Sequence, residues 1–377
     1  MSRFFDLVSR PAREMGGYTP KAPPARQAAN GPQARLIRLD SNENPFGPSP
    51  LAIEAMRATL GNVHCYPDDD CGALRRKLAA QHGLPTEQVM VTAGSTALLS
   101  LLCQTLLTPA HNAVTSQCSF VVYALAVHAV GARLIETPLL NDGFDSQAML
   151  DAMDDNTRLV FLANPNNPTG TMLDASAVDK FLARVPGHVV VVLDEAYHEF
   201  ALHFASLRGT AYPNSLDYVR QGASVVVLRT FSKAHGLAGL RIGYGVGPEE
   251  LMTYCARMRN TFSVASVAEA AALAALDDHE HIERVVASNA GQASVLADGL
   301  SSLGYRVVPT SANFICCDVG EDAGGIAERL LNEGVSVRPL RVWGAPSCLR
   351  VSIGSPEQNR FFLSAARKMA GREVPDR

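Results

Sequence analysis

Four loops of the chain carry residue types that could do chemistry on an amine or a carbonyl. One holds Lys233, in Thr230-Phe-Ser-Lys-Ala-His-Gly-Leu-Ala-Gly-Leu-Arg241. Flanked by Phe231, Ala234 and Leu237, its amine can be partly desolvated, which favours the neutral, nucleophilic form. Two others, Asp194-Glu-Ala-Tyr197 and Asn164-Pro-Asn-Asn-Pro-Thr-Gly170, bring a carboxylate, a phenol and amides. The fourth, Ala93-Gly-Ser-Thr96, is a small-residue turn opening an apolar helix; free backbone N–H groups, hydroxyls and the positive end of the helix dipole together suit a phosphate. Each also has a plainer reading as a solvated lysine, a simple turn or a capped helix start. Their joint presence is what argues for a site.

Such loops need strands to aim them. From residue 112, β-branched runs alternate with helical patterns over 113–116, 120–130, 133–136, 158–163, 175–184, 189–194 and 223–230. This alternation predicts an α/β fold, a mostly parallel sheet flanked by helices. Ligands of open α/β sheets sit beyond the carboxyl ends of the strands, which is where Asn164–Gly170, Asp194–Tyr197 and Lys233 fall. Past Tyr244 a helical region is expected from 248 to about 303. The remainder, with strands at 306–309, 314–319, 335–338 and 348–354 and a helix at 323–332, reads as a smaller α+β domain whose final strand carries Arg350. Residues 1–38, rich in Pro, Gly and Ala, read as an extended arm with a short helix near 4–13. The expected division is an arm over 1–44 packing with the small domain, a large cofactor-binding domain over 45–255 and a small domain over 256–377.

Composition bounds the function. With 377 residues, 47% hydrophobic and 19% charged, and a net charge of -4, the chain has ample material for a core and nothing that favours nucleic acid. No apolar run is long enough to span a bilayer, and the start of the chain lacks the apolar core of a signal peptide, so a cytoplasmic enzyme is expected. Eight scattered cysteines without a Cys-x-x-Cys pair read as reduced thiols. Asp277-Asp-His-Glu-His281 reads as a charged, solvated helix start, and no metal is implied. A dinucleotide fingerprint would need glycine at position 248, where the chain has proline; Walker A, Gly-x-Ser-x-Gly and His-Glu-x-x-His motifs are absent.

Taken together, the loops at 164–170, 194–197 and 230–241 resemble the signature of class I/II aminotransferases, the fold-type-I enzymes dependent on pyridoxal phosphate. Within that family, Ser41-Asn-Glu-Asn-Pro-Phe-Gly-Pro-Ser-Pro50, Tyr66-Pro-Asp68, Val337-Arg338 and Cys348-Leu-Arg350 are most similar to the histidinol-phosphate aminotransferase branch. The resemblance spans roughly residues 18 to 355 and implies roles. Lys233 would form the Schiff base with the cofactor aldehyde and later move the Cα proton. Asp194 would pair with the pyridine nitrogen. Asn167 and Tyr197 would hydrogen-bond the phenolic oxygen, and Phe120 would stack on the ring. Gly94, Ser95, Thr230, Ser232 and Arg241 would hold the cofactor phosphate, Thr96 would also bind the cofactor, and Tyr66 would reach the phosphate from the neighbouring subunit of a homodimer. Arg350 would take the substrate carboxylate, while Arg338, Tyr18 and Asn44 would serve the substrate, Tyr18 and Arg338 at its phosphate. The implied reaction is ping-pong transfer between L-histidinol phosphate and 2-oxoglutarate, in histidine biosynthesis. Enzymes of the same fold type acting on another amino acid, whether aromatic aminotransferases, decarboxylases, oxidases or cyclases, are the alternative. Four positions depart from the family's usual pattern: Cys65, Thr96-Ala97, Gln117-Cys-Ser119 and His235.

Overall fold

Seven strands form the larger sheet: β1 (Val89–Thr92), β2 (Asn112–Ser116), β3 (Arg133–Thr137), β4 (Thr157–Ala163), β5 (Val190–Asp194), β6 (Val225–Thr230) and β7 (Gly243–Val246). The computed structural model describes residues 4–15 and 36–370. The spatial order is β1-β7-β6-β5-β4-β2-β3; β7 runs antiparallel to both neighbours and the remaining pairings are parallel. Continuous apolar runs form the central strands because helices cover both sheet faces, and Leu159, Val160, Phe161, Leu162, Val226, Val227 and Leu228 are fully buried. The carboxyl ends of β2, β4, β5 and β6 open along one edge. From that edge spring the loops bearing Phe120, Asn167, Asp194, Tyr197 and Lys233.

Strand β7 departs from the sequence reading, which has no strand there. Its glycines hide it from a β-branched pattern, and packing explains them: a Cβ on Gly243 would lie 2.5 Å from the backbone nitrogen of Ser95. The bare strand lets the helix Ser95–Leu106 start directly above the sheet edge.

The helical stretch expected over 248–303 is broken into Glu249–Arg257, Ser266–Ala275 and His279–Ser302. Ala268, Ala271, Ala272 and Ala275 join the core of the large sheet, and their helix packs on Pro50–Thr59. The second core, built around Phe314, Val351, Leu296 and Phe362, takes no residue from 256–276. Ser266–Ala275 thus packs with the large unit, while the small unit, the one around this second core, draws on the helix His279–Ser302. Asp278 caps that helix, accepting from the backbone N–H of His281 at 3.1 Å and from Ser49 Oγ at 2.6 Å; His281 is buried, not solvated.

In the small unit β8 (Arg306–Val308), β9 (Phe314–Asp318), β10 (Arg338–Pro339) and β11 (Cys348–Ser352) lie in the order β8-β9-β11-β10, all antiparallel. The helix Pro356–Met369, for which the sequence reading has no counterpart, starts with a capping box in which Ser355 and Gln358 bond each other's backbone. In the arm the helix covers only Arg10–Glu14, with Pro11 in its first turn, and it lies beside Val122–Ala129 of the large unit. Further on, Ile37–Arg38 pairs in parallel with Val335–Ser336 and Leu39 enters the second core. The segment 40–43 is thereby carried across the junction between the two units. No helix among the described residues is long and apolar enough to cross a membrane.

Candidate active site

A cavity of about 450 Å³ lies at the junction, beyond the carboxyl ends of the strands. Its walls come from segment 40–43, from Ser95 and Thr96, Phe120 and Tyr123, Asn167, Asp194 and Tyr197, Thr230, Ser232, Lys233 and Arg241, and from Arg338, Trp343 and Arg350 of the small unit. Lys233 Nζ donates to the carbonyl oxygens of Asn42 at 3.2 Å and Ser41 at 3.3 Å. Burial first, then the charges of Arg350 and Arg241, lower its pKa to about 8, against the opposing pull of Glu43. A lysine so placed holds a sizeable neutral fraction near neutral pH, as a nucleophile and base must.

Asp194 ends β5 and is buried, and that burial raises its pKa to about 6. The Tyr123 hydroxyl donates to Oδ2 at 2.9 Å and the Ala196 backbone N–H to Oδ1 at 3.2 Å; both bonds oppose the rise. Tyr197, likewise buried, accepts at its hydroxyl from Asn42 Nδ2 at 3.0 Å. Asn42 is held at φ 55°, with its backbone N–H on Ser352 Oγ at 2.8 Å and its carbonyl on Asn313 Nδ2 at 3.0 Å. Behind Asp194 lies a buried ion pair, Glu195 with Arg229 at 2.8 Å.

An anion cradle forms where Ser95–Leu106 begins. Its N-cap, Gly94, has φ 79° and ψ 155°, and a Cβ there would meet Arg241 Nη2 at 2.7 Å. Arg241, itself left-handed at φ 53°, reaches Ser232 Oγ at 3.4 Å, and Thr230 Oγ1 donates to Ser232 Oγ at 3.0 Å. Hydroxyls, a helix N-terminus and a guanidinium converge on one spot.

On the other side Arg338 and Arg350 are direct partners across β10 and β11. Both donate to the backbone carbonyl of Asp40, at 3.4 and 2.8 Å, and Arg350 also donates to Asn167 Oδ1 at 2.6 Å. Arg350 is buried between the rings of Phe314 and Trp343, at 5.5 and 5.9 Å. Neither arginine forms an ion pair among the described residues, and the Nε of Arg350 has no partner.

This donor set fits pyridoxal phosphate. The cradle suits its phosphate, the buried carboxylate its ring nitrogen, Tyr197 and the unpartnered Nδ2 of Asn167 its ring oxygen, Phe120 its ring face and Lys233 its aldehyde.

Of the residues named from sequence, Ser95, Thr96, Phe120, Asn167, Asp194, Tyr197, Thr230, Ser232, Lys233, Arg241, Arg338 and Arg350 line the cavity, with Gly94 directly behind it. Asn44 does not: segment 40–43 forms that wall, and Asn44 instead donates to the Ala234 carbonyl at 2.8 Å, bracing the Lys233 loop from outside. Tyr66 lies on the surface, 82% exposed, its ring tilted against Phe262 with centroids 4.7 Å apart. Tyr18 falls outside the described residues. Sequence reasoning missed Asp40, Asn42, Tyr123 and Trp343. Among the departures, Cys65 is exposed, Cys118 faces a neighbouring cavity, and His235 packs on Phe231 at 5.0 Å with Glu199 at 3.6 Å.

Residues 34–365 match the family model described as aminotransferase class I and II. The chain is 44% identical to histidinol-phosphate aminotransferase 2 of Pseudomonas aeruginosa over 372 residues, 98% of this chain and 99% of that protein. It is also 44% identical to histidinol-phosphate aminotransferase 2 of Ralstonia nicotianae, over 88% of each. The crystal structure of histidinol-phosphate aminotransferase from Sinorhizobium meliloti, in complex with pyridoxal-5'-phosphate, superposes with a TM-score of 0.89 at 28% identity, covering 97% of this chain and 98% of that one.

Proposed function

The chain belongs to the class I and II aminotransferases, and from that premise we propose that it transfers the amino group of L-histidinol phosphate to 2-oxoglutarate, with pyridoxal phosphate as cofactor. When bound, that cofactor supplies an aldehyde that condenses with amines and a protonated ring that draws electrons from the carbon bearing the amine. The residues of the chain do the rest.

Lys233 is the nucleophile at rest and, once its amine is freed, the base that takes the proton from the donor's Cα; its lowered pKa suits both tasks. Asp194 would hold the proton on the ring nitrogen, as a buried carboxylate beside a cation does. Asn167 and Tyr197 would orient the ring oxygen, Phe120 would cover one ring face, and Ser95, Thr96, Thr230, Ser232 and Arg241 would hold the phosphate end. Segment 40–43 excludes water from the lysine side by taking its Nζ bonds on backbone carbonyls.

The observation that carries the donor assignment is the pair Arg338 and Arg350, opposed across two strands, lining one cavity and in direct ion pair with no carboxylate among the described residues. Two adjacent cations suit a phosphate dianion in one half-reaction and the carboxylate beside the keto carbon of 2-oxoglutarate in the other. The curated relatives' names support the same donor. A homodimer in the cytoplasm completes the reading, with Tyr66 reaching the partner's cofactor phosphate.

The test is the visible spectrum of the purified protein, recorded before and after L-histidinol phosphate and again after 2-oxoglutarate. A band that shifts with the amine and returns with the keto acid supports both half-reactions. A band indifferent to this amine removes the donor assignment and leaves the family unchanged.

A further inference from the structure

Trp343 is the single tryptophan of the chain and ends the turn Arg341–Trp343 between β10 and β11. Its indole stands in two walls at once. One belongs to the cavity of about 450 Å³ described above; the other belongs to a second cavity of about 610 Å³ at the same junction, lined further by Cys118, Leu134, Leu139, Leu340 and Cys348. Phe120, Val121 and Tyr123 are also shared between the two, but they are anchored in the large unit, where Tyr123 is fully buried and stacks on Phe161 at 4.7 Å. Trp343 is the shared wall contributed by the small unit. Its Nε1 is buried without a hydrogen-bond partner, so packing and the nearby Arg350 guanidinium, not a polar bond, keep the ring where it is.

We propose that Trp343 is a specificity-determining partition of the amino-donor pocket: it limits the donor to a single ring, and its removal joins the two cavities into one that admits bicyclic aromatic amines. The inference rests on the aminotransferase reading but not on which single-ring donor is used. The second cavity is polar at Gln117, Glu136 and Asp142 but apolar at Leu134, Leu139 and Leu340, and an aromatic ring entering past residue 343 would lie along the leucines. Loss of the indole also loosens Arg350, but that weakens every anionic substrate alike and leaves the ratio between donors untouched.

The ratio is therefore what to measure. L-phenylalanine and L-tryptophan carry the same carboxylate and differ in ring size. With the holoenzyme, Trp343→Ala is expected to raise kcat/KM for L-tryptophan relative to L-phenylalanine at least about tenfold over wild type. The ratio of their calorimetric dissociation constants should move in the same direction, and Trp343→Phe should fall between. A ratio within about twofold of wild type in Trp343→Ala overturns the proposal. Should that variant not fold, Trp343→Leu, which keeps apolar packing while thinning the wall, decides the matter by the same ratio. Failure of the wild type to use L-histidinol phosphate sinks the donor assignment alone, since the binding ratio is still read.

Discussion

The Tyr123 hydroxyl donates to Oδ2 of Asp194 at 2.9 Å, with both residues buried and the tyrosine ring stacked on Phe161 at an interplanar angle of 5°. The bond holds the Asp194 pKa down against burial, which drives it up. Tyr123→Phe keeps the stack and removes the donor, so the carboxyl is expected to rise further and become a poorer partner for a ring cation. A hydrogen bond to a charged group is worth about 1.5–3 kcal/mol, or about 10- to 100-fold in cofactor affinity. Equilibrium dialysis against pyridoxal phosphate, compared with wild type across pH, checks this; unchanged affinity would detach Tyr123 from the site.

Asp194 itself gives a pH-dependent stability. Its folded pKa of about 6 lies above the ordinary aspartate value of 3.8, so its contribution is fully present below pH 3.8 and is lost as pH rises through 6. Above that range the cofactor-free protein carries an ionised, buried carboxylate at a cost of about 3 kcal/mol. Asp194→Asn is expected to unfold at higher denaturant than wild type at pH 7.5, with the gap closing toward pH 4, while turnover falls by at least about a hundredfold. Denaturation midpoints of both apoproteins at the two pH values test the sign, and a constant gap would refute it.

These two residues differ in how far the sequence discloses them. Asp194 is legible because it ends an apolar strand run and opens a polar loop, as do Asn167 and the Lys233 segment; position at a strand end is a local property. Tyr123 is not, since it sits in an apolar helical stretch where a phenol looks like any core aromatic, and only the fold brings Asp194 to it from 71 residues away. Asn42 and Asp40 belong to a visible loop, yet their work depends on Leu39 being pinned in the small unit's core. Strand β7 is hidden for the opposite reason: the glycines that permit close packing erase the pattern by which strands are recognised. Trp343 lies in a short turn with no periodicity, and its place between two cavities is a property of the assembled junction.

Arg338→Ala removes one of the two facing cations while Arg350 stays clasped by Asn167 and the Asp40 carbonyl. The loss is expected to fall on phosphorylated donors, at about 1.5–3 kcal/mol or roughly 10- to 100-fold in kcat/KM, and far less on unphosphorylated analogues. Steady-state kinetics with L-histidinol phosphate and L-histidinol as a pair make the comparison. Equal losses for both would take Arg338 out of the phosphate site.

Tyr66 is 82% exposed and packs at a tilt against Phe262, itself 45% exposed, with Val63 and Leu60 also open to solvent nearby in sequence. An apolar surface of this kind is what a second copy would cover, and a shared site then follows if Tyr66 serves the partner's cofactor. Sedimentation should give twice the chain mass of 40.2 kDa. Complementation separates a shared site from mere association. Lys233→Ala is expected to be inactive and Tyr66→Ala strongly impaired, yet a hybrid dimer of the two holds one site with both wild-type residues. Random exchange of equal amounts makes half the dimers hybrid, so activity should recover to about a quarter of wild type. Recovery no greater than the Tyr66→Ala protein supplies by itself would place both residues in the same subunit's site.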